Sequence, residues 1–200
     1  MNEYWNSLLT EKSWKILQEL RNYNFILIGG WAVYLHAKKQ KSKDIDIVVG
    51  IKELEKLKKF GLNKNDNLRK YEIKREETDI DIYVEYYSKL TIPAEDIKNY
   101  SVNIEGFKVA SKELLLILKQ DAFKNREFSV KGEKDMIDIM NLLLFCEIDF
   151  KEYGRILEMY KIESYFNELR KMIINFKDYN ALNLNPREFK IKKNKVLKSL

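Results

Sequence analysis

The sequence predicts an α/β (α+β) fold, with a mixed β-sheet core flanked by helices and a helical region after it. Short apolar or alternating runs, typical of strands, are interleaved with helical patterns as far as about residue 110. From Ser111 onward the apolar residues recur at helical spacing. We therefore expect residues 1–110 to form the core with its N-terminal helix, and residues 111–200 to form the helical region.

Periodicity and turn signals place the elements of the first half. Strands are predicted at Phe25–Ile28, Asp44–Val49, Leu68–Lys74 and Asp79–Tyr86, and Ser101–Ile104 and Phe107–Ala110 are predicted to form a hairpin. Helices are predicted over about residues 3–20, from Gly30 to Ala37, and from Ile51 to Phe60, where Gly61 ends the helix.

The second half is predicted to contain only helices. Ser111 is the expected N-cap of a helix that carries Leu114, Leu115 and Leu118 on one face. Further helices are expected at Glu133–Phe145 and over about residues 150–161 and 163–177.

Composition limits the class of protein. The 200 residues are 45% hydrophobic and 34% charged, which suits a folded domain with a solvated surface. The lone Cys146 excludes a disulfide framework and favours a reducing, cytoplasmic setting. The segment Met1–Leu20 has no continuous apolar stretch of the signal-peptide kind, and no run is long enough to span a bilayer, so no membrane association is expected.

Positive charge is concentrated at the C-terminus. Residues 186–200 hold six cations and one acid, a net charge of +5 against +6 for the whole chain. A basic tail can follow a nucleic-acid backbone, and the alternative is a solvated terminal helix or a frayed end. The six cations are Arg187, Lys190, Lys192, Lys193, Lys195 and Lys198.

A glycine pair, Gly29-Gly30, separates the first strand from the following helix. Glycines let backbone amides approach an anion closely, and the N-terminus of a helix attracts phosphate. The spacing matches neither a dinucleotide-binding motif nor a P-loop. The pair therefore indicates a phosphate site, with a plain strand-to-helix turn as the alternative.

Two Asp-x-Asp pairs carry the candidate chemistry. Asp44 and Asp46 share one face of their strand, as do Asp79 and Asp81 on a later strand. If the strands are neighbours, three or four carboxylates converge, and such a cluster requires cations. Oxygen ligands favour Mg²⁺ or Mn²⁺, and a chain with one His and one Cys does not favour zinc. The alternative is solvated acids at the start of a strand.

These motifs resemble the nucleotidyltransferase superfamily of the DNA polymerase beta type. The segments GGWAV and KDIDIVV are similar to the aminoglycoside nucleotidyltransferase branch. The segment from Val109 to Leu144 is similar to the abortive-infection toxin-type nucleotidyltransferases. Many relatives carry Arg and Thr before the Asp pair, where this chain has Lys41 and Ser42. The residues matched in the second segment are Lys119, Ala122, Arg126, Lys134, Asp135 and Asp138.

The resemblance implies transfer of a nucleoside monophosphate from an NTP to an acceptor hydroxyl, with release of pyrophosphate. It implies that three carboxylates, Asp44, Asp46 and Asp81, hold two Mg²⁺ or Mn²⁺ ions, with Asp79 as the rival for the third position. The implied nucleotide ligands are Gly29, Gly30, Ser42 and Lys119.

The acceptor is left open by the sequence. The second motif and the basic tail favour RNA, such as tRNA, in a toxin–antitoxin-like setting with a cognate partner protein. The alternatives are a hydroxyl on a protein, a hydroxyl on an aminoglycoside-like small molecule, and an inactive partner-binding member of the fold.

Overall fold

The computed structural model describes residues 7–200. Residues 3–6 of the predicted N-terminal helix lie outside the described part. The chain divides into two compact units, one ending at Ser111 and the other comprising Lys112–Leu200.

The first unit is built on a mixed seven-stranded sheet of order β3-β4-β5-β2-β1-β7-β6. Strand β2 runs parallel to β5 and antiparallel to β1, which is parallel to β7. This arrangement confirms the predicted fold class. The strands are β1 (Ile26–Ile28), β2 (Ile45–Val49), β3 (Asn63–Asn65), β4 (Lys70–Arg75), β5 (Thr78–Val84), β6 (Ser101–Ile104) and β7 (Phe107–Ala110).

Three α-helices accompany the sheet in the described part of the first unit: α1 (Ser7–Glu19), α2 (Gly29–Ala37) and α3 (Ile51–Leu57). Trp31 of α2 is fully buried, and its indole Nε1 donates a hydrogen bond to the Ser13 hydroxyl at 2.8 Å. The tryptophan after the glycine pair is therefore a core residue. Short 3-10 segments are found at Leu20–Asn22, Lys58–Phe60 and Ala94–Tyr100.

The second unit is helical, as predicted. Its helices are α4 (Lys112–Arg126), α5 (Val130–Phe145), α6 (Phe150–Met159), α7 (Ser164–Asn175) and α8 (Pro186–Ser199), with a 3-10 turn at Asn180–Leu182. The predicted start of α5 at Glu133 was wrong by three residues, because Ser129 is the N-cap and its hydroxyl accepts the backbone N–H of Gly132.

The basic C-terminal segment is an ordered helix. Asn185 and Glu188 form a reciprocal capping box at the start of α8, and Phe189 and Val196 are buried. Two of its lysines donate to main-chain carbonyls: Lys192 to Leu144, and Lys193 to Ile174 and Phe176. The segment is therefore a packed terminal helix, and part of its positive charge serves packing within the unit. Binding of this helix to a nucleic acid stays a prediction.

Strand β3 was not predicted, since its three residues are polar and do not alternate with apolar ones. It pairs antiparallel with β4, with Asn65 opposite Lys70. Over residues 7–200, every helix is too short or too polar to cross a lipid bilayer.

Candidate functional site

The central pair of strands brings two of the predicted carboxylates together. In the parallel β2–β5 pair, Asp46 lies directly opposite Asp81, and Asp44 immediately precedes β2. Asp79 is exposed and lies opposite Lys74 of β4. The register places Asp81 beside Asp46, and the charge of Asp44 also acts on Asp81, whereas Asp79 is exposed. The role of Asp81 as the third carboxylate stays a prediction.

Gly29 brings the start of α2 against the same carboxylates. Its φ of +65° falls in the left-handed region, and a Cβ at this position would be 2.0 Å from Asp46 Oδ2. A side chain is therefore excluded by both the backbone conformation and the lack of space. The N-terminal end of α2, with its partial positive charge, faces an anionic group at close range.

The two other predicted phosphate contacts of the first unit, Gly30 and Ser42, are close in sequence to Gly29 and Asp44, respectively. Gly30 is buried as the second residue of α2, and Ser42 is 1% exposed in the segment that leads to Asp44. Asp44 Oδ1 is buried and makes no hydrogen bond within residues 7–200. A buried carboxylate oxygen in this state is costly, and a bound cation would compensate this cost.

Two further residues at this site were missed by the sequence analysis. Lys70, the first residue of β4, extends its ammonium to within 2.6 Å of Asp81 Oδ2 and 3.2 Å of Glu72 Oε1. Glu72 lies directly opposite Asp81 in the β4–β5 pair. The sequence does contain a signal for this arrangement. A two-residue turn at Glu76-Glu77 fixes the register of the β4–β5 hairpin, and this register puts Glu72 beside Asp81.

Burial and charge act in opposite directions on this ion pair. Burial raises the pKa of Asp81; the hydrogen bond and charge of Lys70 lower it, while the charges of Glu72 and Asp44 raise it further, so the net direction is upward. For Lys70, burial lowers the pKa, but hydrogen bonding and charge from Asp81 and Glu72 outweigh this effect and raise it. Lys70 is therefore a charged ammonium in a buried acidic environment.

Lys119, predicted as a triphosphate ligand, lies in a buried ionic cluster of the second unit. Its ammonium is 3.0 Å from Asp135 Oδ1 and 2.6 Å from Asp138 Oδ2, and Arg126 donates to Asp135 Oδ2 at 2.7 Å. Burial raises the pKa of Asp135, but the charges and hydrogen bonds of Lys119 and Arg126 outweigh it and lower the pKa overall. These contacts give Lys119 a structural role, and its contact with a nucleotide stays a prediction.

The donor set at Asp44 and Asp46 suits a hard divalent cation. Both groups are carboxylates, and the buried, unsatisfied oxygen of Asp44 has the character of a ligand position. At Asp81 the fit is different, because a lysine ammonium already contacts the carboxylate. Within residues 7–200, no group of three or more His, Cys, Asp or Glu side chains is arranged to hold a metal ion.

Comparison with solved structures finds several chains of low sequence identity. JHP933 from Helicobacter pylori is 18% identical with a TM-score of 0.43, over 96% of this chain and 92% of that one. An antigenic nucleotidyltransferase-like protein from Paracoccidioides brasiliensis is 19% identical with a TM-score of 0.41, over 68% and 75%. The Megavirus polyadenylate synthase is 17% identical with a TM-score of 0.46, over 68% of this chain and 31% of that one.

At these identities and scores the likeness carries no inference about the activity of this chain. No family model and no curated protein matches the sequence.

Proposed function

We propose that this chain is a metal-dependent nucleotidyltransferase that moves a nucleoside monophosphate from an NTP to an acceptor hydroxyl, releasing pyrophosphate. The observation that carries the proposal is the β2–β5 register, in which Asp46 lies opposite Asp81 with Gly29 against Asp46. Carboxylates beside a glycine-opened helix N-terminus are suited to a triphosphate that binds with its cation.

In this proposal Asp44 and Asp46 hold Mg²⁺ or Mn²⁺. The bound ion would supply charge stabilisation for the transferring phosphoryl group. The amides at Gly29 and Gly30 and the hydroxyl of Ser42 would orient the β- and γ-phosphates. Asp81 would accept the proton of the acceptor hydroxyl, because a carboxylate within reach of that hydroxyl can act as a general base.

We propose RNA, such as tRNA, as the acceptor, in a setting where a cognate partner protein restrains the activity. The exposed cations of α8 support a polyanionic acceptor: Arg187, Lys190, Lys195 and Lys198 all face solvent.

The test is a labelling assay with each of the four α-labelled NTPs and Mg²⁺ in a cell extract, resolved into RNA, protein and small-molecule fractions. Label in the RNA fraction that disappears with Asp44→Asn supports the proposal. Label in the protein or small-molecule fraction would keep the transferase activity and overturn the RNA acceptor. Absence of label from all three fractions would contradict the proposed function.

A further inference from the structure

Lys70 is a buried lysine at the edge of the candidate site. The residue is 8% exposed, although lysines are almost never buried to this extent without paired charges. Its partners are the two carboxylates that face each other across β4 and β5, Asp81 and Glu72. The ammonium is therefore held by one carboxylate of its own strand, β4, and one of the neighbouring strand, β5.

The position has a simple electrostatic origin. Lys70 and Glu72 share one face of β4, and Asp81 lies on that face of β5 because it is opposite Glu72. Like charges that are directly opposite across a strand pair repel each other. An ammonium at 2.6 Å and 3.2 Å from the two carboxylates removes this repulsion, as a bound metal ion would.

The same ammonium already engages one oxygen of the carboxylate that a second metal ion would share. A site with two ions requires carboxylates that bridge or flank both ions, about 3.5–4 Å apart. Here Asp81 Oδ2 is engaged by Lys70, whereas Asp44 Oδ1 is buried with no hydrogen-bond partner in the described chain. The Asp81 carboxylate is thus already neutralised by an ammonium, whereas the buried oxygen of Asp44 has no such partner.

We propose that the Lys70 ammonium takes the place of the second cation at Asp81, so that the nucleotide-free protein binds one divalent ion instead of two. This inference rests on the proposed function, since it assumes that Asp44 and Asp46 hold the first ion. It replaces the two-ion site implied by the sequence resemblance with one metal ion and one fixed ammonium. Lys70 is then a positioning residue that sets the metal stoichiometry.

The test counts bound Mn²⁺ by electron paramagnetic resonance of the free ion, with purified full-length protein and no nucleotide. The wild type is expected to bind one ion with an affinity that Asp44→Asn reduces at least tenfold. Lys70→Met keeps the length of the side chain and removes its charge, so it should bind two ions. Lys70→Arg keeps the charge and should bind one.

Two controls distinguish a second ion bound at the Asp81 carboxylate from a general effect of removing one positive charge. Lys74→Met removes a lysine from an exposed position of the same strand and should leave the count at one. Lys70→Met combined with Asp81→Asn should return the count from two to one, because the freed carboxylate is absent.

A wild-type count of two overturns the inference without any variant, and leaves the proposed function standing if Asp44→Asn abolishes the binding. A folded Lys70→Met protein, verified by near-ultraviolet circular dichroism, that still binds one ion also overturns it. Two results contradict both the metal role in the proposed function and the inference. One is wild-type protein that binds no Mn²⁺; the other is Mn²⁺ binding whose affinity does not change in Asp44→Asn.

Discussion

At the scale of single residues, the candidate site depends on a glycine that packs directly against a carboxylate. Gly29 is required by its positive φ and by the carboxylate of Asp46, which fills the space that a Cβ would need. Gly61 has a positive φ of +79° as well, but it has open space around the missing Cβ. A side chain at Gly61 would therefore cost only backbone strain, whereas a side chain at Gly29 would cost backbone strain and a steric clash.

We predict that Gly29→Ala and Gly61→Ala differ in their effects on the candidate site. Each should lose roughly 1–3 kcal/mol of stability from the left-handed backbone conformation. Only Gly29→Ala should also weaken Mn²⁺ binding, because the new methyl group must displace Asp46. Denaturant unfolding and Mn²⁺ titration measure both effects, and equal Mn²⁺ affinity in the two variants would refute the role of Gly29 at the carboxylates.

Some residues of the site could be predicted from sequence and others could not. The acidic pairs and the glycine pair are local patterns, so their spacing is visible in the chain. The choice between Asp79 and Asp81 needs the β2–β5 register, which joins strands more than 30 residues apart and has no local signal. Lys70 could have been found from the Glu76-Glu77 turn, since the hairpin register follows from the length of the loop.

At the scale of elements, the α4–α5 pair is joined by the buried cluster of Lys119, Arg126, Asp135 and Asp138. Asp135 is 1% exposed and accepts from cations at two positions of α4. The sequence similarity that matched these residues did not distinguish a nucleotide contact from helix packing, and the contacts within the unit supply the packing explanation.

We predict that Asp135→Asn lowers the free energy of unfolding by roughly 3 kcal/mol, because it leaves the buried Lys119 ammonium with one charge partner fewer. The pKa of Asp135 is held below its ordinary value of 3.8, so its stabilising contribution is present above that pH and is lost as the pH falls through the lower, folded-state pKa. The variant should therefore lose less stability than the wild type on acidification.

Urea unfolding at neutral pH and below pH 4 measures this difference. The control is Glu133→Gln, an exposed acid of the same helix, which should change stability by no more than about 0.5 kcal/mol. An Asp135→Asn protein as stable as this control would contradict the structural role of the cluster.

Helix α8 contributes both packing and positive charge to the second unit, so deletion of the helix would not test its charge alone. Removal of residues 186–200 would remove the buried Phe189 and Val196 and three lysine-to-carbonyl hydrogen bonds, so it would disturb the fold of the unit as well as its charge. Substitution of the exposed cations alone avoids this problem.

We predict that replacing Arg187, Lys190, Lys195 and Lys198 with Gln weakens tRNA binding and reduces the slope of log K against log salt by up to roughly three, as expected for four lost phosphate contacts. A matched variant with Gln at Lys151, Lys161, Arg170 and Lys171, which are exposed cations of the same unit, should change the slope less. Equal slopes in the two variants would contradict a specific role for α8.

At the scale of the whole molecule, the sequence predicted the fold class and the order of most elements. Hydrophobic periodicity is strong in the buried strands β1, β2 and β5 and in the helices, whereas β3 is polar and depends on its pairing with β4. The sheet order was beyond local reasoning, because β1 pairs with β2 and β7 through long connections.

The central claim is that Asp44, Asp46 and Asp81 together carry out nucleotidyl transfer. It is tested most directly by the rate of label transfer from the preferred α-labelled NTP for Asp44→Asn, Asp46→Asn and Asp81→Asn, with the exposed Asp79→Asn as the matched control. We predict that each of the first three loses at least about a hundredfold in rate, the scale of losing one group that stabilises transition-state charge, while Asp79→Asn stays near the wild type. Equal rates for Asp81→Asn and Asp79→Asn, or wild-type transfer by Asp44→Asn, would contradict the account.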